Sequence, residues 1–206
     1  MASESDICNF ALSKIGEHEI NSLADTSAQA KACNRWYAQT RDEVCIAHRW
    51  RCLTRRSSLT RLAADPIWGW AAQYQLPADY LRLIEINGIN VWTPEEWFTV
   101  EGTMLLTDLA PTSTDPVGII YIARVVPTGD YHPLLVEAIY TKLAAHLSRI
   151  LTGSDGREAQ LLQEYERVVS KAGMVDAFVS ASNENNSVRT QTLRSRMVSA
   201  RNRGSW

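Results

Sequence analysis

Hydrophobic periodicity changes twice along this chain, and that change limits its fold more than any other feature. From Ser3 to His48 apolar residues recur every three or four positions, as along one side of a helix. From about Arg51 to Val125 the runs are short and rich in Ile, Val, Leu, Thr and aromatic residues. Pro, Gly, Asp and Asn break them. Helical spacing returns at His132 and persists to about Ser180. The order implies an α+β fold, a mainly α-helical bundle of four helices with a small antiparallel β-lobe inserted in it.

Caps and breakers set the expected boundaries. Ser3 or Ser5 caps a first helix ending at Ile15, with Ile7, Phe10, Ala11 and Ile15 as its apolar face and Gly16 as its stop. Ile20 and Leu23 anchor the loop that follows. Asp25 or Thr26 caps a second helix to about His48, with a stripe of Cys33, Trp36, Tyr37, Thr40, Val44 and Ala47. Arg35, Arg41, Asp42 and Glu43 lie elsewhere around that wheel. Strand-like segments lie around 51–62, 74–76, 80–86, 97–101, 104–107 and 118–125, and Glu101-Gly102-Thr103 reads as a tight hairpin connection. Pro133 suits the first turn of a third helix, where its missing N–H costs nothing. Its stripe is Val136, Ile139, Leu143, Leu147 and Ile150, and Gly153 stops it. Ser154 or Asp155 opens a fourth helix facing inward with Leu162, Tyr165, Val169, Ala172 and Val175. The implied division is a bundle over 1–50 and 131–183, a β-lobe over 51–130 and a C-terminal arm over 184–206.

Charge sets the arm apart. From Ser187 onward there are five arginines and no acid, whereas the whole chain holds 21 basic and 23 acidic residues. The body up to Asn186 therefore holds 16 basic and 23 acidic residues, a net of −7. The last twenty residues offer only Val188, Leu193, Met197, Val198 and Trp206 as large apolar side chains. That is too little to offset the entropy of ordering them as a core of their own. The segment reads instead as an arm that grips another protein. Its expected contacts are Arg189, Leu193, Arg194, Arg196, Met197, Val198, Arg201, Arg203 and Trp206.

Catalytic signatures are missing from the sequence. It has no phosphate-binding glycine loop, no nucleophile elbow and no H-E-x-x-H. Cys8, Cys33, Cys45 and Cys52 form no C-x-x-C pair and read as reduced thiols in or near the core. Cys45, His48 and Cys52 have the only metal-like spacing, and a fourth ligand would have to come from core positions. No cofactor, no metal and no enzymatic activity are expected. A Cys/His pair that meets only in the fold stays open. No apolar run nears the roughly 20 residues that cross a bilayer, and the N-terminus lacks the charge and apolar stretch of a signal peptide. The chain is expected to fold in a cytoplasm.

Two clusters remain as possible interfaces. Arg49, Arg51, Arg55, Arg56 and Arg61 lie within thirteen residues without an intervening acid. On an extended strand Arg49, Arg51, Arg55 and Arg61 would share a face, suited to an acidic partner or DNA. The plainer reading is a solvated strand face. Trp68, Trp70, Trp92 and Trp97 decorate the lobe, as core or as an interface.

Several segments resemble one family. ALSKIGEHEINSLAD, SAQAKACNRWYAQTRDEV, HRW and RRSSL resemble the opening of the head-to-tail adaptor proteins of short-tailed bacteriophages, also called tail tubular protein A or gatekeeper proteins. YQLPADYLRLIEING looks like the family's strand–turn–strand, and YHPLLVEAIYTKLAAHLSRILTGS like its third helix. The resemblance covers roughly residues 7–180. It implies a structural virion protein, assembled in the host cytoplasm, in a ring commonly of twelve copies. That ring joins the portal protein to the tail nozzle protein, and genomic DNA passes through it without sequence-specific binding. It also implies a C-terminal segment that docks on the portal. The alternative is a nucleic-acid-binding module using the Arg49–Arg61 cluster and the basic tail. A hydrolase is a third reading, for which no acid/base pair can be named.

Overall fold

The computed structural model describes residues 2–91, 97–108, 116–125 and 127–176. The expected α+β fold is the one the chain adopts, with four helices and antiparallel sheets. Helix α1 spans Glu4–Ile15 and α2 spans Ala28–Ala47. Among the described residues seven strands follow: β1 Thr54–Leu59, β2 Ala72–Gln75, β3 Tyr80–Ile86, β4 Ile89–Asn90, β5 Phe98–Glu101, β6 Met104–Thr107 and β7 Val117–Ala123. Helix α3 spans Pro133–Leu147, and α4 runs over 155–176.

Each helix starts where its first N–H groups find a side-chain acceptor. Ser3 Oγ accepts from the Asp6 N–H at 3.1 Å, and the Asp6 carboxylate accepts from the Ser3 N–H at 2.8 Å. That reciprocal box begins α1. Gly16, at φ 79°, ends it. Ser27, rather than Asp25 or Thr26, caps α2, accepting from Ala30 N–H at 3.2 Å. Asp25 instead holds the loop before it, accepting from the N–H groups of Asn21 and Ser22.

The strands form two sheets rather than one. The first is ordered β1-β7-β3-β4 and the second β2-β6-β5, all pairs antiparallel. Two-residue hairpins close β3–β4 and β5–β6. In the first, Asn87 (φ 48°) and Gly88 (φ 83°) both occupy the left-handed region, as a turn matched to strand twist requires. The strand–turn–strand around Pro77 carries the chain from one sheet to the other. Asp79 fixes that corner: its carboxylate accepts from the Tyr121 hydroxyl at 3.0 Å and its carbonyl from the Arg124 N–H at 2.6 Å. Thr54 at the start of β1 faces Ile122 near the end of β7, so the chain enters and leaves the lobe side by side.

One buried cluster joins helices and sheets, from Ile7, Leu12 and Val44 through Leu83, Ile86 and Ile122 to Leu135, Ile139 and Leu143. The expected face of each of the four helices needs correction. Phe10 and Ala47 are exposed, whereas Arg41 is only 8% exposed. In α3, Ile150 is 50% exposed because the helix widens into a π turn over Ser148–Thr152 before Gly153 ends it. The wider turn rotates the residues beyond Leu147 out of the stripe. In α4 the buried residues are Leu161, Val168 and Ala172, while Leu162 and Val175 are exposed.

Helix α4 lies across the ends of the first pair. Near its start Arg157 donates to the Lys14 carbonyl at 2.7 Å, satisfying an end of α1, and Glu164 pairs with the Lys14 ammonium. At its other end Asp176 pairs with His48, just past α2, at 2.8 Å.

Candidate interaction surfaces

The arginine cluster does not share one face. Residues 51–53 form a 3-10 turn, so Arg51 leaves the strand register that the sequence suggests. Three of the five arginines have acidic neighbours: Arg49 with Glu85 at 3.3 Å, Arg51 with Asp176 at 4.0 Å and Arg61 with Asp65 at 2.5 Å. Arg55 and Arg56 are exposed on β1 and, as successive strand residues, point to opposite faces. The five charges are thus divided among several surfaces.

The tryptophans divide as well. Trp68 is 85% exposed and its neighbour Ile67 is 99% exposed. Trp70 and Trp97 are half-buried, and Trp97 packs edge-on against Phe98 with centroids 4.9 Å apart. Trp92 and the whole arm, with Arg189, Leu193, Arg194, Arg196, Met197, Val198, Arg201, Arg203 and Trp206, lie outside the described residues.

Trp68 and Trp70 wall a groove of about 280 Å³, lined also by Pro66, Gln73, Glu101, Met104 and Leu106. The stretch of sequence that supplies this groove is strongly acidic. Residues 62–116 hold eight acids (Asp65, Asp79, Glu85, Glu95, Glu96, Glu101, Asp108 and Asp115) against a single base, Arg82. Subtracting these from the body's 23 acids and 16 bases leaves 15 of each elsewhere before Ser187. The entire net −7 of the body therefore belongs to this stretch of the lobe. The charge of residues 62–116 is itself legible in the sequence, finer than the division into body and tail, and it draws attention to Ile67 beside Trp68.

The Cys45, His48 and Cys52 positions do not converge on a metal site. Among the described residues no three His, Cys, Asp or Glu side chains are grouped to hold a metal. Cys45 is buried, and burial pushes its thiol up to about 12. His48 is committed to Asp176 and lies edge-on to Trp50. Cys52 and His132 line one groove of about 240 Å³. Burial raises the Cys52 thiol, however, and His132 Nδ1 accepts from the Leu134 N–H at the start of α3. Cys8 and Cys33 share a hydrogen bond inside the α1–α2 contact, which raises the Cys8 thiol, with burial adding to it. A thiolate nucleophile needs the opposite shift, and Cys33, which that same bond lowers, is fully buried.

No protein-family model and no curated protein matches the chain.

Proposed function

We propose that this chain is a structural subunit of a virion, an adaptor that joins the portal protein to the tail nozzle protein of a short-tailed bacteriophage. The observation that carries the reading is the order α1–α2, inserted β-lobe, α3–α4. The segments that resemble the adaptor family fall on those elements in that order, from α1 and α2 through β1 to β3 and on to α3.

Charge supports the same role. A conduit for DNA should not hold DNA tightly, and acidic residues facing a channel repel phosphate. Exposed apolar residues on the helices, among them Phe10, Leu162, Met174 and Val175, suit contacts between copies in a ring. In this role the basic segment 187–206 docks on an acidic surface of the portal, and a ring of many arms binds far more tightly than one.

Electron micrographs of the full chain mixed with a portal ring of a short-tailed phage test the proposal. Added density with the portal's rotational symmetry is expected. Deleting residues 187–206 should leave a folded body that no longer adds to the ring. Retention of normal affinity by the truncated chain would overturn the role of the arm, and failure of the full chain to add to such a ring would overturn the adaptor reading. The nucleic-acid-binding alternative predicts tight DNA binding by the isolated chain with a steep loss on adding salt.

A further inference from the structure

The acidic β-lobe and the basic C-terminal segment have complementary chemistry within one polypeptide. We infer that residues 187–206 dock on the β-lobe of their own chain, in the groove beside Trp68. The groove offers two tryptophans and the side chains of Met104 and Leu106, with Glu101 at its edge. The segment offers Leu193, Met197 and Trp206 together with five arginines and no acid. Arginine stacks on exposed tryptophan faces and pairs with carboxylates, so one such segment satisfies both halves of the surface. The other acid-free run of five arginines, between Arg49 and Arg61, has its large apolar residues Trp50, Leu53 and Leu59 buried in the core, so they are not free to anchor there.

The tether permits the docking. Asp176 on α4 lies 4.0 Å from Arg51. Trp68 follows Arg51 by seventeen residues, which cannot span more than about 56 Å. The thirty residues 177–206 reach about 100 Å when extended. A tethered segment also has an effective concentration of about 1 mM, above that of any free second copy at micromolar levels. The docked segment covers Ile67 and Trp68, whose exposure is otherwise unusual for large apolar side chains. A partner that binds the segment must first compete it off the lobe, so the arm is held in reserve until an acidic surface of greater affinity is present.

The test uses the chain alone, so its result is independent of the adaptor reading. Amide hydrogen exchange is measured on the full chain and on a variant with Arg189, Arg194, Arg196, Arg201 and Arg203 all changed to Ser. Residues 64–76 and 97–107 should exchange about fivefold more slowly in the natural chain at low salt, as expected for a weak contact at millimolar effective concentration. The protection should disappear in the serine variant and at high salt, where the Debye length falls to about 3 Å at 1 M. Trp68→Ala should abolish it too, while the far-ultraviolet circular dichroism stays unchanged. Equal exchange in the natural and serine chains overturns the inference. Protection that grows between about 1 and 50 µM protein overturns docking within one chain and assigns the contact to a second copy, because a tethered contact does not depend on concentration.

Discussion

Arg124, just past β7, reaches back to Asp42 on α2, with its Nε donating to Oδ2 at 2.8 Å. The other oxygen of Asp42 accepts from Arg41 at 2.9 and 3.0 Å. One carboxylate thus ties the end of the lobe to the helix beneath it and neutralises a nearly buried guanidinium. Asp42→Ala leaves Arg41 with only Glu4, 3.9 Å away, as acidic partner in the geometry seen. A loss of about 2–3 kcal/mol is expected. Arg124→Ala should cost about 0–1 kcal/mol, since that side chain is 42% exposed. Urea unfolding of the two variants separates them, and equal losses would refute the assignment of Asp42 as the shared partner.

Trp50 is the apolar plug where α2 meets the lobe. It is 2% exposed, and its Nε1–H donates to the Val44 carbonyl at 2.9 Å. Trp50→Phe keeps most of the ring volume but leaves that carbonyl without its donor, at an expected cost of about 2 kcal/mol. Trp50→Ala adds a cavity and should cost about 3–5 kcal/mol. A change in the urea midpoint without a change in slope would identify the effect as loss of native stability.

His146 stacks on Trp36 with centroids 5.2 Å apart, and burial holds its pKa below the ordinary histidine value. Glu43 and Lys142, paired at 2.9 Å, stand nearby and act in opposite directions on the ring. The native state therefore favours neutral imidazole. Above pH 6.5, the ordinary value, both folded and unfolded forms are neutral and the contribution to stability is complete. As the pH falls below that value the unfolded chain takes up the proton first, so stability declines until the lower native pKa is passed. His146→Gln should flatten that part of a stability profile measured from pH 7.5 to 5. An unchanged slope in the variant would remove His146 as its source.

Gly88 adopts φ 83° in the β3–β4 turn. Gly88→Ala places a Cβ in the left-handed region, where it costs roughly 1–2 kcal/mol, although nothing lies within 4 Å of the added atom. Thermal unfolding should register the loss. An unaffected midpoint would show that the turn relaxes to another type.

Trp68→Ala should behave in the opposite manner. At 85% exposure the side chain contributes little to the fold itself, so in about 1 M salt, where the C-terminal segment is released, stability should stay within about 0.5 kcal/mol of the natural chain. Any larger loss on urea unfolding at that salt concentration would show that Trp68 supports the lobe internally.

The helices and strands were legible because local chemistry decides them. Ser3, Gly16, Pro133 and Gly102 each stand where a cap or turn requires that residue type. Helix faces were less legible. In α4 apolar residues occur in adjacent pairs, Leu161 with Leu162 and Val168 with Val169, so spacing alone did not choose between them. The choice came from packing into the common buried cluster. Arg41 illustrates the same limit: its burial depends on Asp42, a neighbour that itself faces a residue 82 positions away. The arginines share no single face for a local reason: a 3-10 turn takes up Arg51, and the strand begins only at Thr54.

The pairing of Thr54 with Ile122 has a consequence for how such a chain can change over time. Antiparallel partners lie only about 5 Å apart, so everything between them is a closed excursion from the helical frame. Residues gained or lost between β1 and β7 lengthen or shorten that excursion without separating α2 from α3. The excursion can be exchanged for one of different size or charge while the helices keep their places, which lets one supporting frame acquire new specificities.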